Sequence, residues 1–468
     1  MAQRKGRNGN GKGSKRKTND LQSALNHSGL HFVIAVVIIA YGWEALGGSS
    51  GLRAIFSRQY INSLSPLDRF TYYWPLGDAV EIRYMSNDPD DRGLVAARTI
   101  RKGEVTLVAD VPDLGGEMAR LEPSLPALLK EANQAALQEE KSISTRPDTS
   151  NLLSTLRFLQ LIDIEKDPKW VAYEEALPKN VSSMAWYWTP EERQCVVPRP
   201  GDQRAPHKLA AFHATMQKVA QQSDLVRQLY QTNPLRAEWV YLMFKTRGFG
   251  DLSFLPAASM LNHNPLQAVP PFVVPQRQKV YFVAPHDIPE GTPVYNNYGE
   301  LSTVHTAEVY GFATSYNESA YFESPSIQRD LIRSPNTHDI DRCTVEPPLF
   351  FGNVGDQVVE AQYAGSRNYF HFKSFVPTQS TMLCLQLLVN SQDEVKVARY
   401  VAEKLQDDYQ QYATRANSPA CQSDEGNFPI IQKTNEVTAQ LMFDAYRYAE
   451  KVVAAEGKIA YPGTKQES

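Results

Sequence analysis

The chain has 468 residues, of which 42% are hydrophobic, 10% aromatic and 21% charged, an ordinary globular composition with room for more than one domain. Its net charge of −4 hides an asymmetry: residues 1–20 hold seven Lys/Arg against Asp20, about +6, so residues 21–468 carry about −10. A body of that sign excludes nucleic acid as an expected partner, since such binding depends on Lys/Arg neutralising phosphates.

In chain order, residues 1–28 are a basic, Gly/Asn-rich head with almost nothing apolar to bury, which predicts a disordered tail. Residues 29–47 form an apolar segment, uninterrupted from Phe32 to Tyr41. The stretch Leu30–Leu46 would span about 25 Å as a helix, slightly short of a roughly 30 Å hydrocarbon core. Tyr41 and Trp43 stand where an interfacial aromatic belt would need them. The segment therefore reads as a single membrane anchor through residues 30–46. A cleaved signal or targeting segment and a core helix are the alternatives. Positive charges on its N-terminal side predict a cytosolic head and a lumenal body; cleavage would instead leave a soluble organellar protein. Residues 48–77, opening on Gly48-Ser49-Ser50-Gly51, are a linker.

From Asp78 to Pro112, alternating polar and apolar residues predict short strands at Val80–Tyr84, Leu94–Arg98 and Val105–Val108. The pattern then turns helical, from about 117 to 245. Leu152, Leu156, Leu159 and Ile162 recur at helical spacing, and Leu235 to Phe244 is a second apolar helix. Strands and turns return from Leu252 to Phe312, with a hairpin at Phe272–Val274 and Lys279–Ala284 and a turn at Asp287–Gly291. Residues 317–468 read as mostly helical. One helix carries Val397, Val401, Leu405 and Tyr409; another, with Val437 and Leu441, begins near Thr434 and Asn435 as N-caps. The outline is α+β, a strand region split by a helical insert. Four scattered cysteines (Cys195, Cys343, Cys384, Cys421) form no C-x-x-C pair, and the nine histidines show no H-E-x-x-H, so no metal site is expected. Two disulfides and four free thiols fit the cysteine count equally well.

Three segments together resemble SET-domain protein methyltransferases of the plant Rubisco large-subunit lysine methyltransferase and actin-histidine methyltransferase type. The first runs from Asp91-Arg92-Gly93-Leu94-Val95-Ala96 to Lys102-Gly103-Glu104 and is similar to an opening G-x-G-L-x-A…G-E pattern. The second is Met260-Leu261-Asn262-His263. The third passes from Ile288-Pro289-Glu290-Gly291 through Asn297-Tyr298-Gly299 to Tyr310-Gly311-Phe312. Trp170, Tyr173, Leu177-Pro178 and Trp188 resemble a further stretch of the insert, and Thr246-Arg247 a Thr/Ser-Arg pair that closes it. The likeness spans residues 78–316. It implies a SET domain of short-stranded sheets with a pseudoknot-like C-terminal part, split by the insert and followed by the helical region.

The resemblance implies S-adenosyl-L-methionine as cofactor and a protein lysine or histidine side chain as methyl acceptor. Tyr298 is the implied phenol at the reaction centre, orienting methyl and amine. Gly93, Leu94, Val95, Asn262 and His263 are the implied cofactor contacts, with Thr246 offering a hydroxyl. Arg247, Tyr310 and Phe312 would line the substrate channel, where aromatic faces suit an ammonium. His286 and His305 lie in the same region and are more simply surface or core residues. Asp91 stands in place of the first glycine, Ser259 in place of an Asp, and Thr303 and His305 in place of an Asn and a Glu. These departures leave an inactive, membrane-anchored protein-binding module as the alternative, and a membrane scaffold as a third class.

Overall fold

The computed structural model describes residues 60–86, 91–140, 149–197, 204–249, 254–264, 267–269, 271–274, 278–298, 301–315, 321–322, 324–333, 349–354, 357–362, 372–373, 376–377 and 379–456. The basic head, the apolar segment 30–46, Gly299 and Cys343 lie outside them. Among the described residues no helix is long and apolar enough to cross a membrane. The chain forms two compact units, Met1–Arg69 and Phe70–Ser468. In the described part of the first, the Arg69 guanidinium donates to the carbonyls of Ile61 and Leu64 at 3.3 and 3.2 Å.

The second unit opens on two small sheets. Strands β1 (Val80–Tyr84), β2 (Arg92–Ala96), β3 (Val105–Asp110), β4 (Asn262–His263), β5 (Pro271–Val274), β6 (Lys279–Val283) and β7 (Pro293–Asn296) divide into the orders β1-β2-β7-β4 and β3-β6-β5. β1 and β2 pair antiparallel, from Val80 opposite Ala96 to Tyr84 opposite Arg92. The β5–β6 hairpin forms where alternation predicts it. Strand β2 is offset by two residues from the expected Leu94–Arg98. Every residue of β2 is buried, whereas Arg98 turns outward to Glu104 at 2.5 Å and Asp78 at 3.4 Å. A charged side chain that stays wet cannot continue a strand buried on both faces.

The centre of the first sheet joins remote sequence. Leu94 lies opposite Val294, and β4 runs parallel to β7 with Asn262 beside Tyr295 and His263 beside Asn296. Between the two halves the described elements are helices, the first Leu114–Leu121 and the last Pro234–Arg247. Three of their starts share one device, a capping side chain followed by proline. Asp167 accepts from Lys169 N at 2.9 Å, Thr189 forms a capping box with Glu192, and Asn233 accepts from Arg236 N at 3.0 Å, ahead of Pro168, Pro190 and Pro234.

The predicted leucine stripe is core: Leu152, Leu156 and Leu159 are fully buried, and Thr149–Leu159 runs on as a wider π-type turn, Gln160–Ile164. An aromatic cluster joins the insert to the strand region. Tyr173 lies 5.3 Å from Phe254, 6.0 Å from Phe158 and 6.1 Å from Trp170 between ring centroids, mostly edge to face.

The region after residue 316 holds more strand than its pattern suggests. β8 (Tyr321–Phe322), β9 (Leu349–Val354), β10 (Gln357–Gln362), β11 (Phe372–Lys373) and β12 (Val376–Pro377) form a hairpin, β9–β10, and a small sheet, β12-β11-β8. Two long antiparallel helices follow, Glu394–Ala416 and Phe428–Ala454. Val397, Val401 and Leu405 of the first and Val437, Leu441 and Met442 of the second are buried in one cluster, as their spacing predicts.

The second helix begins at Phe428, not near Thr434. Pro429 supplies the start and Asn427 stands at the N-cap, its backbone N–H given to the Glu192 carboxylate at 2.6 Å. Thr434 and Asn435 are buried inside this helix. Thr434 returns its hydroxyl to Ile430 O at 2.7 Å, and Asn435 gives its amide to Cys195 O at 2.8 Å. A polar residue ahead of an apolar stripe is therefore not a start when a proline five or six residues earlier already supplies one. Cys195 of the insert and Cys421, between the two long helices, form a disulfide.

Candidate active site

Strand β2 brings Gly93 against β4's Asn262. A Cβ on Gly93 would lie 2.7 Å from Asn262 Nδ2, so only glycine lets the strand pass this close. The Asn262 amide donates to Arg92 O at 3.2 Å, tying the opening segment to the Asn-His pair across 170 residues. Leu94 and Val95 continue β2 and are buried. Asp91 does not require glycine's freedom: among the described residues, those with positive φ do not include it.

β7 delivers the third segment. Beyond its end, Tyr298 N donates to His263 Nδ1 at 3.1 Å. With Nδ1 accepting, the neutral His263 ring carries its proton on Nε2. Tyr298 turns its phenol inward, where it donates to Leu261 O at 2.7 Å. The residue keeps partial exposure, yet burial of the phenol raises its pKa, opposed by the positive charge of Arg247. Tyr298 is thus a neutral donor at physiological pH, not a base.

Four rings close round this point. His263–Tyr298 centroids are 5.0 Å apart, Tyr298–Tyr310 4.9 Å, Tyr310–Phe312 6.2 Å and Phe312–His263 6.2 Å. Tyr310 ends the wide turn Thr306–Tyr310, and Gly311 leaves it with φ +74°, a left-handed step that lets Phe312 rejoin the cluster. The predicted residues Gly93, Asn262, His263, Tyr298, Tyr310 and Phe312 are therefore brought together.

Arg247 joins from the end of helix Pro234–Arg247, donating to Ser259 O at 2.6 Å. Thr246, also buried, gives its hydroxyl to Leu242 O of its own helix at 3.0 Å, which leaves oxygen lone pairs as its only offer to a ligand. His286 sits exposed on a turn with Nδ1 near Asp287 O, and His305 lies in the short helical turn Thr303–His305, half-buried. Thr303 is buried and exchanges a hydroxyl hydrogen bond with Thr438 of the last helix, a fold-closing role that needs no Asn. Among the described residues no group of His, Cys, Asp or Glu is arranged to hold a metal ion.

Two contributors escape side-chain reasoning. The carbonyls of Ser259 and Leu261 receive Arg247 and Tyr298, and no residue type predicts a carbonyl's direction. Asn296 on β7 has a side chain only 4% exposed whose Oδ1 lacks a partner. Its polar identity within a strand was the available signal.

No protein-family profile matches the sequence, and no curated protein is similar to it in sequence. The fold, however, is similar to that of the SET domain of LSMT bound to lysine and AdoHcy. That likeness has 15% identity and TM-score 0.50, covering 86% of this chain and 94% of that one. Rubisco LSMT bound to AdoMet aligns at 15% identity over 85% of this chain and 94% of that one, with TM-score 0.46. The complex with sinefungin and monomethyllysine does so over 85% and 95%, also with TM-score 0.46. The chain has the SET-domain fold.

Proposed function

We propose that this chain is an S-adenosylmethionine-dependent protein N-methyltransferase acting on a lysine or histidine side chain of a protein substrate. One observation carries the reading: three segments remote in sequence converge, Gly93 on Asn262 and Tyr298 on both His263 and the carbonyl before Asn262. The fold supports it, since the SET domain it resembles was solved with lysine and AdoHcy.

The residues present fit the cofactor. Gly93 leaves room for the Asn262 side chain to pack against β2, and Asn296 Oδ1 is a buried acceptor awaiting a donor beside His263. Gly93, Leu94, Val95, Asn262 and His263 would hold the cofactor, with Thr246 Oγ1 as an acceptor. When bound, S-adenosylmethionine supplies a sulfonium methyl for in-line displacement by a nitrogen lone pair. The protein's work is positioning, which can lower such a barrier by about 7–11 kcal/mol. Tyr298, kept neutral by burial, orients through its phenol oxygen and removes no proton. The target nitrogen must therefore arrive with its lone pair available. Tyr310 and Phe312 with His263 form an aromatic wall for the incoming side chain, and Arg247 borders it.

The test is transfer of labelled methyl from S-adenosylmethionine into lysate proteins by the full chain, with Tyr298→Phe beside it. Equal labelling by both proteins removes Tyr298 from the mechanism. Absence of S-adenosylmethionine binding in calorimetry would establish the inactive protein-binding module instead.

We further propose that residues 30–46 anchor the protein to an endomembrane, with the basic head cytosolic and the body lumenal. The Cys195–Cys421 disulfide supports an oxidising surrounding, where such bonds persist. Protease protection of intact membranes reads the orientation directly, and N-terminal sequencing distinguishes the anchor from a cleaved targeting segment. Protease access to the body from the cytosolic side rules the lumenal orientation out.

A further inference from the structure

Behind the reaction centre, the turn from Pro256 to Leu261 is held from below by two hydroxyls that the proposed mechanism does not use. Tyr173, on helix Pro168–Ala176, is fully buried, and its phenol meets Ser259 Oγ at 2.9 Å. Ser259 Oγ donates its one proton to Pro256 O at 2.8 Å. Tyr173 must then be the donor to Ser259. Burial raises the pKa of its phenol, so it remains that donor at every working pH.

Along the same turn, Ser259 O takes the Arg247 guanidinium at 2.6 Å and, two residues on, Leu261 O takes the Tyr298 phenol at 2.7 Å. The turn is buried, and its own backbone adds three hydrogen bonds: Ser259 N to Leu255 O at 2.8 Å, Met260 N to Ala257 O at 3.4 Å and Leu261 N to Ala258 O at 3.0 Å. The Tyr173 ring cannot shift to compensate for a lost hydrogen bond. Phe70, Trp74, Phe158, Trp170 and Phe254 surround it with centroids 5.3 to 6.4 Å away. The proton chain Tyr173 → Ser259 → Pro256 thus has a rigid origin in the insert and ends on the turn whose carbonyls aim Arg247 and Tyr298.

We propose that Tyr173 and Ser259 are positioning residues for methyl transfer, their hydroxyl pair setting the direction of the two carbonyls that hold Arg247 and the Tyr298 phenol. This rests on the reading of Tyr298 given above. Ser259 is then not a vestige of a lost carboxylate. A serine can receive one proton and pass another to Pro256, whereas an ionised carboxylate there could only accept.

The experiment uses the full chain and labelled S-adenosylmethionine with lysate protein as acceptor, comparing the unaltered protein with Tyr173→Phe, Ser259→Ala, the double variant and Tyr298→Phe. Tyr173→Phe deletes one oxygen and keeps the ring. The expected initial rate at saturating cofactor falls about ten- to a hundredfold, as for a small misplacement of reacting groups, while the half-saturating cofactor concentration stays put. The double variant should match the worse single one, since both cut the same chain. Far-ultraviolet circular dichroism of each variant accompanies the rates. If Tyr173→Phe does not fold, Ser259→Ala carries the rate comparison alone. A folded Tyr173→Phe or Ser259→Ala with unchanged rate, or rate losses that add, overturns the positioning role. Full labelling by Tyr298→Phe, or none by the unaltered chain, overturns instead the reading on which it rests.

Discussion

The candidate active site and the C-terminal helix pair are held together by different physics. At the centre, single polar contacts do the aligning: one amide on Arg92 O, one phenol on Leu261 O, one guanidinium on Ser259 O, one backbone N–H on His263. In the helix pair, stability is spread over an apolar seam that includes Val401, Leu405, Leu441, Met442 and Ala445. The first arrangement makes function fragile and stability indifferent to a lost atom. The second makes stability sensitive and function indifferent. Substitutions at the two places should therefore separate activity from stability in opposite senses.

The largest effect on activity is expected at Tyr298→Phe, with labelled-methyl transfer down by on the order of a hundred- to a thousandfold, as for removal of a single preorganised polar group at a reaction centre. Calorimetric cofactor affinity should change little. A parallel loss of affinity would mean that Tyr298 holds the cofactor and does not orient the reaction.

Gly93→Ala should act the other way, on binding. Its Cβ, 2.7 Å from Asn262 Nδ2, must push that side chain off Arg92 O, so cofactor affinity should fall about tenfold or more and transfer with it. Unchanged affinity would show that the close approach of β2 serves packing alone.

The helix pair supplies the converse. Leu405, fully buried, should cost about 2–5 kcal/mol on truncation to Ala, lowering the thermal midpoint while transfer at low temperature persists. A loss of transfer in a still-folded Leu405→Ala variant would break the comparison, by showing that the seam steers the reaction centre. Cys195→Ser should cost a similar amount, about 2–5 kcal/mol, because the bond closes a loop of 226 residues between the insert and the helix pair. Its neighbours Trp188 and Ala307 lie in the insert and in the turn that ends at Tyr310, so the bond is one of the ties between the two regions. Transfer should thus be more sensitive to reduction than in Leu405→Ala at matched stability.

The two regions also differ in how far their residues announce them. The helix pair was legible because burial imposes a 3.6-residue period on side chains, and Val397, Val401, Leu405, Val437 and Leu441 all fall on the seam. Only its start was misplaced, where Pro429 outranks Thr434. The centre was legible as far as motif residues go: Gly93, Asn262, His263, Tyr298, Tyr310 and Phe312 converge. It was illegible where backbone carbonyls are the partners, because the Ser259 and Leu261 oxygens have no side-chain signature. Thr246 illustrates the same limit: a hydroxyl expected to serve a ligand spends its proton on the helix that carries it. The cysteine pairing was equally hidden, since connectivity follows from fold and not from spacing.

The smallest expected effect tests whether the helix pair contains a polar exception to its apolar rule. Asp408, on helix Glu394–Ala416, is fully buried, yet it accepts from the Ser326 hydroxyl at 2.6 Å, from Ser326 N at 3.2 Å and from the Ser324 hydroxyl, capping helix Pro325–Arg333. Burial nevertheless prevails over these donors, and its pKa is raised. A carboxyl whose folded pKa lies above its unfolded value contributes stability that is complete below the unfolded value. That contribution is lost as pH rises through the folded one. Asp408→Asn abolishes the titration. Thermal midpoints measured from about pH 4 to about pH 8 should therefore shift in favour of the Asn variant as pH rises. A shift favouring Asp408 at higher pH would mean that the three donors outweigh burial. Asp408 would then anchor the helix pair as tightly as any residue of its apolar seam.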